Sequence, residues 1–95
     1  MTGIFDFRLY VAGKSAKSIA AFTNLTRICQ EYLENKCHIT VIDILRKPRL
    51  AKAGQIIAIP TLVKTFPLPM RRVIGDLSST ERVLRGLDIG LTASV

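Results

Sequence analysis

The sequence is poor in the residues on which most enzymes and secreted proteins depend: it has no tryptophan, one histidine and two cysteines among 95 residues. It also lacks any apolar run near the ~20 residues of a membrane helix, and its N-terminus lacks the pattern of a secretory signal. We therefore predict a cytoplasmic protein without membrane segments, whose Cys29 and Cys37 stay reduced. Because His38 alone cannot build a zinc site or a catalytic triad, we expect no metal, cofactor or catalytic site.

Acidic residues are also scarce. The chain has seven Asp and Glu but fourteen Lys and Arg, which gives a net charge of +7. Such a balance favours anionic partners. The basic residues occur as pairs and singles, and only Phe66 lies near the best candidate cluster, so nucleic-acid binding is poorly supported. That cluster is Lys64, Arg71 and Arg72, which a hairpin would bring side by side, and we predict it to be a partner-binding patch.

The composition, 48% hydrophobic and 22% charged, predicts one globular domain over residues 1–95. Residues 5–11 alternate between apolar and polar side chains, which predicts a strand. A helix follows from an N-cap at Ser15 or Ser18 and ends near Asn35, because apolar residues recur at helical spacing. These apolar positions are Ile19, Phe22, Leu25, Cys29, Tyr32 and Leu33. The β-branched run over residues 39–45 then predicts an interior strand covered on both faces.

The second half of the chain gives shorter signals. Pro48 opens a short helix that Gly54 ends, and residues 56–59 fit helix and strand equally. Residues 61–66 and 70–74 predict a hairpin around a proline-rich turn. Ser78 and Glu81 have capping-box spacing, which predicts a last helix. From Leu87 to Leu91 the pattern fits a continuing helix or a strand.

The predicted order, βαβαββα, is that of the thioredoxin-like α/β fold. Pro60 falls where that fold keeps a cis-proline. The dithiol of that fold lies at the start of the first helix, but residues 13–18 read GKSAKS, so the CxxC motif is missing. Without a thiolate at this position, disulfide exchange has no nucleophile. We expect Cys29 to be a core residue on the helix, and Cys37 to lie near a helix-to-strand turn.

Four motifs, spread in register over almost the whole chain, together form a specific pattern. The first is the run from Leu9 to Gly13 followed by Ser18. The second is the run from Val41 to Leu45, then Pro48, Leu50 and Ala51. The third is the proline and arginine hairpin, with Pro60, Thr61, Leu62, Lys64, Pro67, Pro69, Arg71, Arg72, Ile74, Gly75, Asp76, Leu77 and Ser78. The last is Val83, Leu84, Gly86, Leu87 and Asp88. Together these motifs resemble the KaiB family of the bacterial circadian clock.

The resemblance implies a metamorphic protein, with a βαββααβ ground-state fold when the protein is alone, as a dimer or tetramer, and a monomeric thioredoxin-like fold when it binds partners. The implied partners are a KaiC-like ATPase ring, a KaiA-like protein and a sensor histidine kinase that the protein displaces. Lys64 and Arg72 match basic positions that act toward KaiA, whereas Gly86 and Asp88, with Pro60, are assigned to the fold switch.

The chain departs from the family at Lys52 to Gln55, where relatives carry an acidic cluster and then a lysine, and at Ala20, where they carry arginine. It also lacks their acidic C-terminal tail. Reversed charge at a contact surface can exclude a partner. We expect a non-enzymatic regulatory adaptor of a KaiC-like ATPase in a circadian, timing or stress-response system; the alternative is a thioredoxin-like redox or oxidative-stress protein using Cys29 or Cys37.

Overall fold

The first strand and first helix form where the sequence predicts them. In the computed structural model, which describes residues 4–89, β1 spans Phe5–Val11 and α1 spans Ala16–Tyr32. The Ser15 hydroxyl accepts a hydrogen bond from the Ser18 amide (3.3 Å) and so caps α1. The Leu33 amide donates to the Cys29 carbonyl at the other end.

The buried face of α1 matches the predicted one in part. Leu25, Cys29 and Leu33 are buried as predicted, whereas Ile19, Phe22 and Tyr32 are 53%, 46% and 47% exposed. Ser18, Ala21 and Ile28 complete the buried face. The helix is thus turned so that two small side chains, rather than the larger Ile19 and Phe22, face the core.

Four strands form one sheet in the order β2-β1-β3-β4. β2 (Cys37–Asp43) runs parallel to β1, while β3 (Thr61–Phe66) pairs antiparallel with the other side of β1. The prediction of an interior strand at residues 39–45 was therefore wrong: β2 is an edge strand, and Val41 is 47% exposed. A β-branched composition reports strand propensity, whereas the position in the sheet depends on which later strand pairs with β1.

The short elements of the second half also match the sequence closely. α2 spans Pro48–Ala53 and Gly54 caps it, while residues 56–60 lie outside any helix or strand. β4 (Arg71–Ile74) pairs antiparallel with β3, and the Phe66–Pro67 and Leu68–Pro69 peptides between them are cis. Together these elements confirm the predicted hairpin.

The last helix, α3, spans Thr80–Gly86, and its N-cap is Ser79, whose hydroxyl accepts from the Arg82 amide (3.4 Å). The predicted capping box of Ser78 and Glu81 was wrong, because the Ser78 amide donates to the Asp76 carboxylate instead. At the C-terminal end Asp88 has a left-handed φ of 58°, the Ile89 amide donates to the Leu84 carbonyl and the Asp88 amide to the Arg85 carbonyl. This Schellman motif ends the helix. Leu91 lies outside the described residues.

The two faces of the sheet are covered unequally. The face toward α1 and α3 carries the main core, which includes Phe7, Leu25 and Leu84. The opposite face carries a small cluster of Tyr10, Ile42 and Val63, against which Ile44, Ile56 and Ile59 pack. The element order βαβαββα is confirmed. Within residues 4–89, no helix has the length and apolar character needed to cross a bilayer.

Candidate partner-binding site

The loop between β1 and α1, where a thioredoxin-like protein would carry its dithiol, is a network of hydroxyls. The Ser15 hydroxyl donates to the Ser18 hydroxyl (2.8 Å), which also accepts from the Ala12 amide (3.2 Å). Gly13 turns the chain at φ 56°. His38, the one imidazole of the chain, pairs with Asp6 at the opposite end of the strands, roughly 16 Å away at ~3.3 Å per residue. Ser15 and Ser18 therefore have no imidazole near them to act as a general base.

Asp43 lies at the same end of the sheet, at the last position of β2. Its carboxylate accepts hydrogen bonds from the Gly13 amide and the Leu45 amide, each at 3.0 Å. These bonds hold the pKa of Asp43 below its ordinary value, and the nearby Arg46 lowers it further. Asp43 is thus an ionised structural clamp that joins the loop after β1 to the turn after β2.

The two cysteines lie next to each other but are poorly suited to redox chemistry. Cys29 is buried in the core and Cys37 is half-buried at the start of β2. Burial raises the pKa of both thiols, and a mutual hydrogen bond raises the pKa of Cys29 further. Because the thiolate is the reactive form, protonated thiols attack disulfides slowly. The geometry disfavours the redox alternative.

Residues 4–89 contain no cluster of metal-ligating side chains.

Lys64 does not lie on the surface as the predicted patch requires. It is paired with Arg71 across the hairpin and with Phe7 on β1, and it points to the helix-covered face of the sheet with 1% exposure. Burial lowers the pKa of Lys64; Asp88 opposes this shift, while Arg71 adds to it. The expected patch is therefore divided, because Lys64 cannot touch a partner in this conformation.

Arg71 and Arg72 are both exposed, but as neighbours on β4 they point to opposite faces of the sheet. The Arg72 guanidinium donates to the Gln55 carbonyl (3.0 Å) and the Gly54 carbonyl (3.1 Å). It thereby satisfies carbonyl groups at the C-terminal end of α2. Among residues 4–89, Arg71 donates only to the Met70 carbonyl beside it (3.3 Å), so it is the more available of the two.

The three residues assigned to the fold switch hold the second half together. Pro60 follows a cis peptide, is buried, and its carbonyl accepts from the Gly75 amide (2.9 Å). Gly86 lies against β4, where an added Cβ would fall 2.9 Å from the Val73 Cγ2. Asp88 is electrostatically coupled to Lys64. Asp88 is thus near enough to oppose the effect of burial on the pKa of Lys64, although the sequence assigned the two residues to different sites.

Sequence reasoning missed a groove on the face of the sheet away from α1 and α3. Arg8, Tyr10, Arg46 and Lys47 line its larger part. The alternation in β1 had already placed Arg8 and Tyr10 on one face, but only the sheet order shows that this face stays partly open.

Large apolar side chains are exposed on the loops of the second half. Ile57 is 90% exposed, and the hairpin turn presents Phe66, Leu68 and Met70 at 48%, 76% and 55%. Contiguous exposed apolar residues mark interaction surfaces in many proteins. The hairpin turn, next to Arg71, is thus a second candidate contact region.

Solved structures define the class of protein. The chain superposes on the N-terminal domain of Synechococcus elongatus SasA with a TM-score of 0.75 and 16% identity, covering 96% of this chain and 90% of that one. Mitochondrial thioredoxin 3 from Saccharomyces cerevisiae gives a TM-score of 0.70 and 18% identity, covering 92% and 79%. The protein is a thioredoxin-like α/β domain whose first helix begins without a dithiol.

The sequence comparisons then define the family. Residues 8–89 match the KaiB domain. The circadian clock protein KaiB3 of Synechocystis sp. is 48% identical over 82 residues, which cover 86% of this chain and 80% of that protein. The circadian clock oscillator protein KaiB of Synechococcus elongatus is 46% identical, covering 90% and 83%. The chain belongs to the KaiB family of circadian clock proteins, as its motifs predict.

Proposed function

We propose that this protein is a non-enzymatic regulatory adaptor that docks on a KaiC-like ATPase ring in a circadian, timing or stress-response system. The main support is its KaiB-family sequence on a thioredoxin-like fold. The loop at Gly13 of that fold has hydroxyls in place of thiols. This arrangement suits the binding of a partner rather than covalent catalysis. The N-terminal domain of SasA has the same fold, and we further propose that a sensor histidine kinase with such a domain competes with this protein for the ring.

The proposed contact region is the hairpin, with Arg71 as its exposed cation and Phe66, Leu68 and Met70 as its apolar part. Lys64 and Arg72 act indirectly in this proposal. Lys64 acts from inside the sheet, and Arg72 holds the end of α2 in place. A KaiA-like protein and a sensor histidine kinase remain proposed partners of the same state.

We also propose that the described conformation is the partner-binding state and that the protein alone forms a dimer or tetramer in the βαββααβ fold. Pro60, Gly86 and Asp88 are the proposed switch residues. A partner that shifts a 1:99 equilibrium to 99:1 must supply roughly 5.5 kcal/mol of differential affinity.

The test is incubation of the full chain with ATP and the KaiC-like ring of the same organism for several hours, followed by size-exclusion chromatography with light scattering. We expect a complex that forms slowly, and Arg71→Glu should weaken it about tenfold. Arg82→Glu, an equal charge change on the exposed surface of α3, is the matched control and should bind normally. Absence of any complex after this incubation would overturn the proposal.

A further inference from the structure

The groove on the open face of the sheet crosses all four strands. It consists of two adjoining cavities of about 590 and 250 Å³. Both are lined by Arg8, Tyr10, Ala53 and Gly54, so they form one continuous depression. With strands ~4.8 Å apart, the groove is roughly 14 Å long, which fits four or five residues of extended peptide at ~3.3 Å each.

The groove carries an excess of positive charge. Arg8, Arg46 and Lys47 line the larger cavity, and Arg72 lines the smaller one. The one carboxylate in the lining, Asp43, is already engaged by two backbone amides. Within residues 4–89, the ion pairs involve Arg27, Lys36, His38 and Arg85, none of which lines the groove. Among the described residues, none of the four groove cations therefore forms an ion pair within 4 Å, although Arg46 is near enough to Asp43 to lower its pKa.

The floor of the groove is apolar and closely packed. Tyr10, Ile42 and Val63 form it with 2%, 7% and 5% exposure, and Leu50 and Met70 stand in the walls. Gly54 lets the end of α2 pack directly on this floor, because a Cβ there would fall 2.8 Å from the Tyr10 hydroxyl. Arg72 fixes the end of α2 by donating hydrogen bonds to the Gly54 and Gln55 carbonyls. Its other N–H groups remain free for a ligand.

We propose that this groove binds an acidic, partly apolar peptide segment of a partner protein in extended conformation. The cations are spread along the groove, with Arg46 and Lys47 on the larger cavity, Arg72 on the smaller one and Arg8 on both. Tyr10 is too buried to stack on a nucleic-acid base. A ligand with carboxylates spaced along a strand-like backbone, and apolar side chains between them, matches both this spread of charge and the exposed apolar walls at Leu50 and Met70.

This site goes beyond the ring contact. The two share Met70 at one wall, but the proposed ring contact rests on Arg71 and the hairpin turn, whereas the groove rests on Arg8, Arg46 and Lys47. The test uses the full chain and a fluorescein-labelled peptide of alternating Glu and Leu, about six residues long. Fluorescence anisotropy gives the affinity, and amide chemical shifts locate the site. A Gln–Leu peptide, ATP and a short single-stranded DNA are the comparison ligands.

We expect the Glu–Leu peptide to bind about tenfold more tightly than the Gln–Leu peptide and to shift the amides of Arg8, Thr40 and Val63. Arg8→Glu should weaken binding about tenfold, whereas Arg82→Glu on α3 should change it less than about twofold. Gly54→Ala, which keeps the charge, should also weaken binding because the added methyl would push the end of α2 away from Tyr10 and reshape the groove.

Equal losses in Arg8→Glu and Arg82→Glu would overturn the proposal, because net charge alone would then explain binding. Shifts confined to other surfaces, or stronger binding of ATP or DNA in the groove, would overturn it as well. Thermal unfolding of each variant separates lost binding from lost structure. If Arg8→Glu loses the peptide but keeps the ring complex, both proposals stand; if the ring never binds but the peptide does, only the proposed function fails.

Discussion

The two halves of the molecule are built on different scales. In the first half β1 and β2 have seven residues each and pair without interruption, and α1 has 17 residues. In the second half α2, β3, β4 and α3 have six, six, four and seven. Helices shorter than ~12–15 residues are marginal in isolation, so α2 and α3 depend on tertiary packing. The second half is therefore where a different packing costs least, as a fold switch requires.

The largest expected effect comes from core substitutions, which compare the stability of the two halves. Leu25→Ala in α1 and Leu84→Ala in α3 each empty a fully buried site. We expect Leu25→Ala to lower the free energy of unfolding by about 3–5 kcal/mol, and Leu84→Ala by only about 2–3 kcal/mol because α3 can repack. Urea denaturation measures both values. Equal losses, with uniform amide exchange across the chain, would remove the distinction between the halves.

The second effect concerns the buried cation of the second half. Lys64→Met should stabilise the described fold by about 1–2 kcal/mol at neutral pH, because it removes a desolvated charge. The pKa of Lys64 is lower in the folded chain, so the unfolded chain holds this proton more tightly, and the penalty is complete at any pH below the folded-state pKa. The advantage of Lys64→Met should shrink as the pH rises from that lowered pKa toward 10.5.

Thermal unfolding of both proteins at neutral pH and near pH 10 measures this difference. Lys52→Met, on the exposed surface of α2, is the matched control and should show no such pH dependence. A Lys64→Met variant that is less stable than the parent at every pH would contradict the interpretation.

The third effect tests how tightly α3 lies on β4. Gly86→Ala should gain about 1 kcal/mol of helix propensity, but most of this gain is lost because the new Cβ lies 2.9 Å from the Val73 Cγ2. In a Val73→Ala background the contact is gone, and the full gain should appear. A double-mutant cycle in urea measures the coupling. The same effect of Gly86→Ala in both backgrounds would show that the contact does not matter.

The smallest expected effect on stability concerns Asp43, the structural clamp of the first half. Asp43→Asn should destabilise the protein at neutral pH, since it removes a carboxylate that two amides favour in its ionised form. The lowered pKa of Asp43 means that its contribution is complete above 3.8 and is lost as the pH falls through the folded-state pKa. The two proteins should thus converge in acid, while Glu34→Gln serves as an exposed control. A constant difference at all pH values would be inconsistent with this role.

Much of the fold was readable from local patterns. The alternation in β1, the hydroxyl cap at Ser15 and the Pro48–Gly54 pair give element bounds within a residue or so, because each acts on its immediate neighbours. The family motifs carried the assignment to KaiB. The candidate site was less predictable from sequence. Pairing Lys64 with Arg71 was correct, but the burial of Lys64 was not predictable, since alternation shows that two residues share a face and not which face is covered.

The sequence by itself determined the element order, the hairpin, the missing dithiol and the positive charge, since these follow from local chemistry and composition. Only the tertiary structure decided that β2 is an edge strand, that Lys64 is inside and coupled to Asp88, and that Arg8 and Arg72 meet in one groove. The physical reason is strand pairing. β3 lies beside β1 although about fifty residues separate them along the chain, and no local preference encodes such a contact.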